Sequence, residues 1–72
     1  MASDDLIEID GTIKEVYAAG TFLVETEGGK LVQAHLAGKL RRFRIRVVLG
    51  DRVTVAVSPY DLTRGRIVFR HK

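Results

Sequence analysis

The chain has no cysteine and no tryptophan, and only one proline, among its 72 residues. Without cysteine it forms neither a disulfide nor a thiolate metal site, which are two common ways of stabilising a small domain. A domain of this length buries only about 60% of the surface of its unfolded chain, so its architecture has to be economical. A closed β-barrel fits, because one sheet wraps around one core and leaves no exposed edge.

Long apolar runs are also missing. No stretch approaches the roughly 20 residues that span a bilayer, and the acidic residues Asp4 and Asp5 stand where a secretory signal would be basic. We therefore expect a cytoplasmic protein with no membrane partner, and we also expect it to be a monomer. It is predicted to form one domain over residues 1–72, with residues 1–5 flexible.

Groups for catalysis or metal binding are scarce. His35 lies on the polar face of a predicted strand and His71 is the penultimate residue, with no cysteine or carboxylate cluster to complete a metal site. Ser58 precedes a proline, with no base or acid at a recognisable spacing. The Gly28–Lys30 segment is too short to cradle a phosphate and is typical of a hairpin turn. The sequence thus predicts no enzyme activity, no metal and no cofactor.

Alternation of apolar and polar residues predicts short strands separated by turns. Five strands are predicted, over residues 6–16, 21–27, 30–36, 52–57 and 66–70. Gly11 predicts a bulge or bend inside the first strand, and Gly28–Gly29 a hairpin turn. Residues 38–44 lack alternation and predict a short helix, with an extended segment over 45–49. Residues 58–65, which contain proline and glycine, are predicted to form a loop.

Three strands, a short helix and two strands is the order of the five-stranded OB-fold, an all-β barrel. An SH3-like barrel is the alternative, although it usually lacks a helical segment of this size here. Phe22 and Phe69 are predicted to lie in the core. Leu40 and Phe43 are predicted to pack from the helix onto the barrel.

The net charge of +3 is unevenly distributed. Residues 1–36 hold two basic and seven acidic residues, whereas residues 37–72 hold ten basic and two acidic ones, giving −5 and +8. Eight of the ten are arginine, whose guanidinium pairs with phosphate and stacks on bases. This segregation favours a face for RNA, and a solvated surface without a partner is the alternative.

Two expectations concern the last predicted hairpin. Arg66 and Arg70 are predicted to share one face of the final strand. Tyr60, beside Arg64, is predicted either to stack on an unpaired base or to anchor its loop on the barrel rim.

Several segments resemble the bacterial translation initiation factor one family. They are Glu8–Thr12, Phe22–Glu25, Ala34–Arg41, Ile45–Arg46, Gly50–Val55 and Ser58–Arg70. The last segment is the most specific, and the resemblance covers essentially the whole chain. It departs at Phe43–Arg44, where family members often carry a polar residue followed by an aromatic residue or histidine.

The resemblance implies an OB-fold (S1-like) factor that binds the small ribosomal subunit at its A site. Such a factor contacts ribosomal RNA and an adjacent ribosomal protein and assists the second and third initiation factors. The implied RNA contacts are Lys39, Arg41, Arg46, Tyr60, Arg64, Arg66, Arg70 and, as a further candidate, His35. Charge adds Arg42 and Arg44 to this set. The alternatives are a single-stranded nucleic-acid chaperone of cold-shock type and a protein adaptor with a basic face.

Overall fold

The computed structural model describes residues 6–17, 20–42 and 46–71, except for the side chains of Lys39 and Arg41. The predictions for residues 1–5, for the packing of Phe43 and for Arg44 therefore lie outside the described residues. The elements are β1 (Ile7–Tyr17), β2 (Thr21–Thr26), β3 (Leu31–Leu36), the five-residue helix α1 (Gly38–Arg42), β4 (Arg52–Ser58) and β5 (Asp61–Arg70).

The strands close into a barrel in the order β1-β2-β3-β5-β4. The pairing of β3 with β5 is parallel, and the other four pairings are antiparallel. The predicted five-stranded all-β barrel of the OB type is thus confirmed. No helix within the described part of the chain has the length and apolar character needed to cross a membrane.

The core is built from aliphatic side chains of all five strands together with Phe22. Its buried members are Ile13, Phe22, Val24, Val32, Ala34, Leu40, Val47, Val53, Val55, Val57 and Ile67. Leu40 and Val47 join this cluster from the segment between β3 and β4. Burying each of the larger aliphatic side chains contributes roughly 1.5–3 kcal/mol, so the barrel interior supplies most of the stability.

The first strand serves two partners, and Gly11 lies where they overlap. Residues 7–12 pair with β4 and residues 11–17 pair with β2. A Cβ at Gly11 would lie 2.6 Å from Val24 Cγ1 and 2.7 Å from the Glu25 carbonyl oxygen, so only glycine permits this approach. The bulge itself falls further along, between Ile13 and Glu15.

The prediction of a loop over 58–65 is wrong, because β5 already begins at Asp61. A two-residue turn at Pro59 and Tyr60 joins β4 to β5. The parallel partner strand β3 pairs with residues 64–67, so it stabilises an extended conformation that no local alternation predicts. Of the extended segment predicted over 45–49, residue 45 lies outside the described residues, 46–48 belong to no strand, and 49 begins a turn.

A bulge in β5 overturns the prediction that Phe69 is a core residue. Val55 pairs with Ile67, whereas Thr54 pairs with Phe69, so Val68 has no residue opposite it. The extra residue reverses the alternation, because side chains on a strand have a period of two. Phe69 consequently faces outward and is 56% exposed.

The same bulge separates Arg66 from Arg70. Arg66 lies opposite Ala56, and Arg70 lies opposite Val53, three residues away on β4. Residues an odd number apart on a strand point to opposite faces. The prediction that the two arginines share one face is therefore wrong.

We expect Gly11→Ala to lower the free energy of unfolding by roughly 1–3 kcal/mol, since the added methyl group has to displace backbone of β2. Urea denaturation followed by circular dichroism measures this loss. The control is Gly28→Ala, because nothing lies within 4 Å of a Cβ built at Gly28. Equal stability of the two variants would contradict the close approach at Gly11.

Candidate nucleic-acid interface

The parallel seam between β3 and β5 brings four polar side chains onto one outward face. Gln33 lies beside Arg64, and His35 lies beside Arg66. All four are exposed. Because neighbouring strands lie about 4.8 Å apart, the two arginines sit next to the two polar residues of β3. We call Gln33, His35, Arg64 and Arg66 the β3–β5 face.

Gly65 makes this face possible. It lies between Arg64 and Arg66, and a Cβ there would lie 2.7 Å from Val57 Cγ1 and 2.9 Å from the Ala56 carbonyl oxygen. The absence of a side chain lets β5 approach β4 closely. The arginines on either side then point outward together.

Two open cavities flank the seam, with volumes of about 290 Å³ and 230 Å³. Thr21, Gln33, Ala34, His35, Arg64 and Gly65 line the first, and Leu6, His35, Ala56, Ser58, Arg64, Gly65 and Arg66 line the second. His35, Arg64 and Gly65 therefore border both. Concave surface beside cationic side chains is a suitable shape for the bases and phosphates of a single strand.

Tyr60 projects from the turn that begins β5 and is 87% exposed. Its N–H donates to Ser58 Oγ at 3.1 Å, and Asp61 Oδ1 accepts from the Thr63 N–H at 3.1 Å and from the Thr63 hydroxyl at 2.6 Å. These local hydrogen bonds hold the turn without the ring. A side chain exposed to this extent does not anchor the turn on the barrel rim.

Some of the described basic side chains are paired with carboxylates and others are not. Four ion pairs join described residues: Lys14–Glu25 at 3.3 Å, Arg52–Glu27 at 3.2 Å, Arg70–Asp51 at 3.0 Å and, when the histidine is protonated, His71–Asp10 at 3.5 Å. By contrast, Arg42, Arg46, Arg64 and Arg66 have no carboxylate within 4.0 Å among residues 6–17, 20–42 and 46–71. Their guanidinium groups keep their donors for an external anion.

Arg70 stands apart from the β3–β5 face. Its Nε donates to Asp51 Oδ2 at 3.0 Å, and its side chain is 37% exposed. The pKa of Asp51 is lowered, first by the Val48 N–H that donates to its carboxylate and then by Arg70. The structure thus gives Arg70 an internal partner.

The remaining candidates belong to the segment between β3 and β4. Arg42 ends α1, a helix that packs against β3 and β5, and Arg46 is exposed just before the buried Val47. Both are described and open to solvent. The side chains of Lys39 and Arg41, and all of Arg44, lie outside the described residues.

Sequence reasoning missed Tyr17. Tyr17 pairs with Thr21, Thr21 with His35, and His35 with Arg66, so these four residues form one row across four strands. Three strand spacings place the backbone of Tyr17 about 14 Å from that of Arg66, measured across the sheet. Tyr17 is 45% exposed. By simple alternation Tyr17 would share the inward phase of Ile13, and the bulge between Ile13 and Glu15 turns it outward, so no pattern in the sequence identifies it.

This barrel and its open cationic face define a small protein of the OB class. A family profile described as "Translation initiation factor 1A / IF-1" matches residues 2–72. The chain is 56% identical over 72 residues to translation initiation factor IF-1 of Solibacter usitatus, covering all of both chains. It is 50% identical to that of Rickettsia bellii, covering 100% of this chain and 99% of the relative. The chain belongs to the translation initiation factor 1A / IF-1 family.

Two solved structures share the fold. The solution structure of translation initiation factor IF-1 from the Wolbachia endosymbiont of Brugia malayi superposes with a TM-score of 0.81 at 38% identity, covering 97% of this chain and 83% of that one. YjeQ from Thermotoga maritima superposes with a TM-score of 0.74 at 24% identity, covering 92% of this chain and 23% of that one. The second likeness shows that the same barrel occurs within a larger protein.

We expect stability to fall in acid, because three carboxyl groups have a lowered pKa. The largest causes are the Thr54 hydroxyl for Asp10, the Val48 N–H for Asp51 and the Thr63 hydroxyl for Asp61. A carboxyl whose pKa is lowered on folding stabilises the fold above its unfolded pKa of about 3.9. That stabilisation is lost as the pH falls through the folded pKa.

Urea denaturation at a series of pH values between about 6 and 2 measures this loss. Asp51→Asn is expected to show a smaller acid loss than the unmodified chain, since one of the three contributors is removed. Glu8→Gln, at an exposed position of β1, is the control. An identical pH profile for Asp51→Asn and the unmodified chain would contradict the role of Asp51.

Proposed function

We propose that this member of the initiation factor family binds the small ribosomal subunit at its A site. It contacts ribosomal RNA and the adjacent ribosomal protein and assists the second and third initiation factors. It acts as a cytoplasmic monomer, by binding rather than by catalysis, and uses no cofactor. Family membership supports this proposal, and the observation that carries it is the pairing of His35 and Arg66 on an outward face with Arg64 beside them.

The physical basis is exchange of counterions for guanidinium groups. Each arginine that neutralises a phosphate releases a condensed cation, so affinity falls with salt in proportion to the number of contacts. Arg64 and Arg66 supply such contacts without first breaking an ion pair to a described carboxylate. An exposed tyrosine adds stacking on an unpaired base, which is worth roughly 1–3 kcal/mol.

A cold-shock type chaperone would need several aromatic side chains on adjacent strands of its binding face. The outward row of Tyr17, Thr21 and His35 holds one aromatic side chain. The exposed Phe69 lies beyond the residues of β5 that pair with β3, with its ring 5.0 Å from that of His71. The geometry therefore favours a structured RNA site over a generic single strand. A protein adaptor would use the basic face for an acidic partner, and its affinity for RNA would not depend on individual arginines.

Sedimentation of the full chain with purified small ribosomal subunits, repeated over a salt series, tests the proposal. Binding that weakens with salt and exceeds the affinity for an unstructured oligonucleotide is the expected result. Equal affinity for subunits and oligonucleotide would favour the chaperone alternative. No sedimentation with subunits at low salt would reject the proposed function.

We expect Arg66→Ala to weaken subunit binding roughly tenfold, or about 1.4 kcal/mol. The slope of the logarithm of affinity against the logarithm of salt should fall by about 0.7–0.9, as for one lost phosphate contact. Arg52→Ala is the matched control, because it removes the same charge from a residue already paired with Glu27. Equal losses in the two variants would mean that net charge alone drives binding.

Tyr60→Ala is expected to weaken binding roughly tenfold with no change in the unfolding temperature, since the ring is 87% exposed. Tyr60→Phe keeps the ring and should bind within about twofold of the unmodified chain, as stacking requires. Sedimentation and thermal denaturation on the same preparations measure the two effects. Loss of binding in Tyr60→Phe equal to that in Tyr60→Ala would argue against stacking.

A further inference from the structure

The turn between Val48 and Asp51 is closed twice by the same two residues. The Asp51 N–H donates to the Val48 carbonyl at 3.1 Å, and the Val48 N–H donates to Asp51 Oδ2 at 3.0 Å. Between them, Gly50 has a φ of 90°, a conformation that glycine adopts without strain. The Asp51 carboxylate thus fixes the backbone of the segment that enters β4.

Two backbone hydrogen bonds also join this turn to β1. The Gly50 N–H donates to the Ile13 carbonyl, and the Ile13 N–H donates to the Asp51 carbonyl, both at 2.9 Å. The Asp51 carboxylate adds a third attachment through Arg70 Nε at 3.0 Å, at the end of β5. Its side chain is only 18% exposed, so solvent screens these contacts less than it would at a fully exposed site.

Arg46 lies immediately before the segment 47–51, which these hydrogen bonds hold and which we call the Asp51 clamp. Val47 is 7% exposed and belongs to the core, and Val48 is held by Asp51. The backbone on the carboxyl side of Arg46 is therefore fixed by one buried side chain and one carboxylate. Arg46 itself is exposed, with no carboxylate partner among the described residues.

We propose that Asp51 is a positioning residue for RNA binding, which holds Arg46 in place, and that Arg70 acts through Asp51 rather than by contact with RNA. This inference rests on the proposed function. It assigns an acidic residue a favourable part in binding a polyanion. It also explains why Arg70 is directed away from the face of Arg66, toward an internal carboxylate.

The direction in which Asp51→Ala changes the affinity for small subunits distinguishes a positioning role from a purely electrostatic one. Removing a carboxylate near a polyanion site raises affinity when only Coulomb forces act. If Asp51 positions Arg46, Asp51→Ala instead lowers affinity for small subunits, by roughly three- to tenfold, although the chain becomes more positive. Asp51→Asn keeps an oxygen for the Val48 N–H and is expected to fall between Asp51→Ala and the unmodified chain.

Sedimentation with small subunits at fixed salt measures these affinities. Glu8→Ala is the control for charge, because Glu8 is an exposed acid opposite Ala56 and should give unchanged or tighter binding. Affinity that rises in Asp51→Ala as it does in Glu8→Ala would overturn the inference.

A double-mutant cycle identifies the residue that is positioned. In an Arg46→Ala background, Asp51→Ala should cost no further affinity, since the side chain that it positions is gone. In an Arg66→Ala background, it should retain its full effect. A cost that persists without Arg46 would assign Asp51 a general stabilising role and overturn the inference.

Nuclear magnetic resonance of the free chain tests, without ribosomes, whether the Asp51 clamp restricts the backbone of Arg46. In Asp51→Ala, the order parameter of the Arg46 amide should drop from about 0.85 to below about 0.6, and the Val48 amide should lose protection from hydrogen exchange. The core amide of Val55 serves as the internal reference. An unchanged order parameter at Arg46 and unchanged protection at Val48 would overturn the inference, even if the chain binds subunits. Failure of the unmodified chain to bind subunits would count against the proposed function alone.

Discussion

The parallel pairing of β3 with β5 is the interaction on which both the barrel and its candidate binding face depend. It closes the sheet, because β5 also pairs with β4 and β4 with β1. It also places Arg64 and Arg66 beside Gln33 and His35. A parallel contact between strands so distant in sequence forms only when the segment between them has folded back. The pairing that closes the barrel therefore also forms the β3–β5 face.

Glycine permits this closure at two points where strands approach most closely. Gly11 lets β1 pass between β2 and β4, and Gly65 lets β5 pass between β3 and β4. At both positions a methyl group would meet backbone atoms at less than 3 Å. In a barrel of 72 residues there is little core to absorb such a displacement. Because Gly65 lies on the inward side of β5, its neighbours Arg64 and Arg66 point outward.

The basic residues differ in what they do, although the sequence presents them as one group. Lys14, Arg52 and Arg70 are held in ion pairs within the barrel, whereas Arg42, Arg46, Arg64 and Arg66 have no carboxylate partner among the described residues. A carboxylate beside an arginine offsets its positive charge and occupies part of its guanidinium, so the arginine attracts a phosphate less strongly. The electrostatic surface offered to RNA is therefore smaller than the count of arginines indicates.

The sequence by itself determined the number of strands, the position of the helical segment and most of the core, because a period of two is a local property of the chain. It also determined that the second half is cationic. Only the tertiary structure decided that Phe69 and Arg70 exchange faces, that β5 starts at Asp61 and that Tyr17 joins the row of His35 and Arg66. Each depends on a bulge or on a partner strand distant in sequence. A single unpaired residue, Val68, inverts every side chain after it.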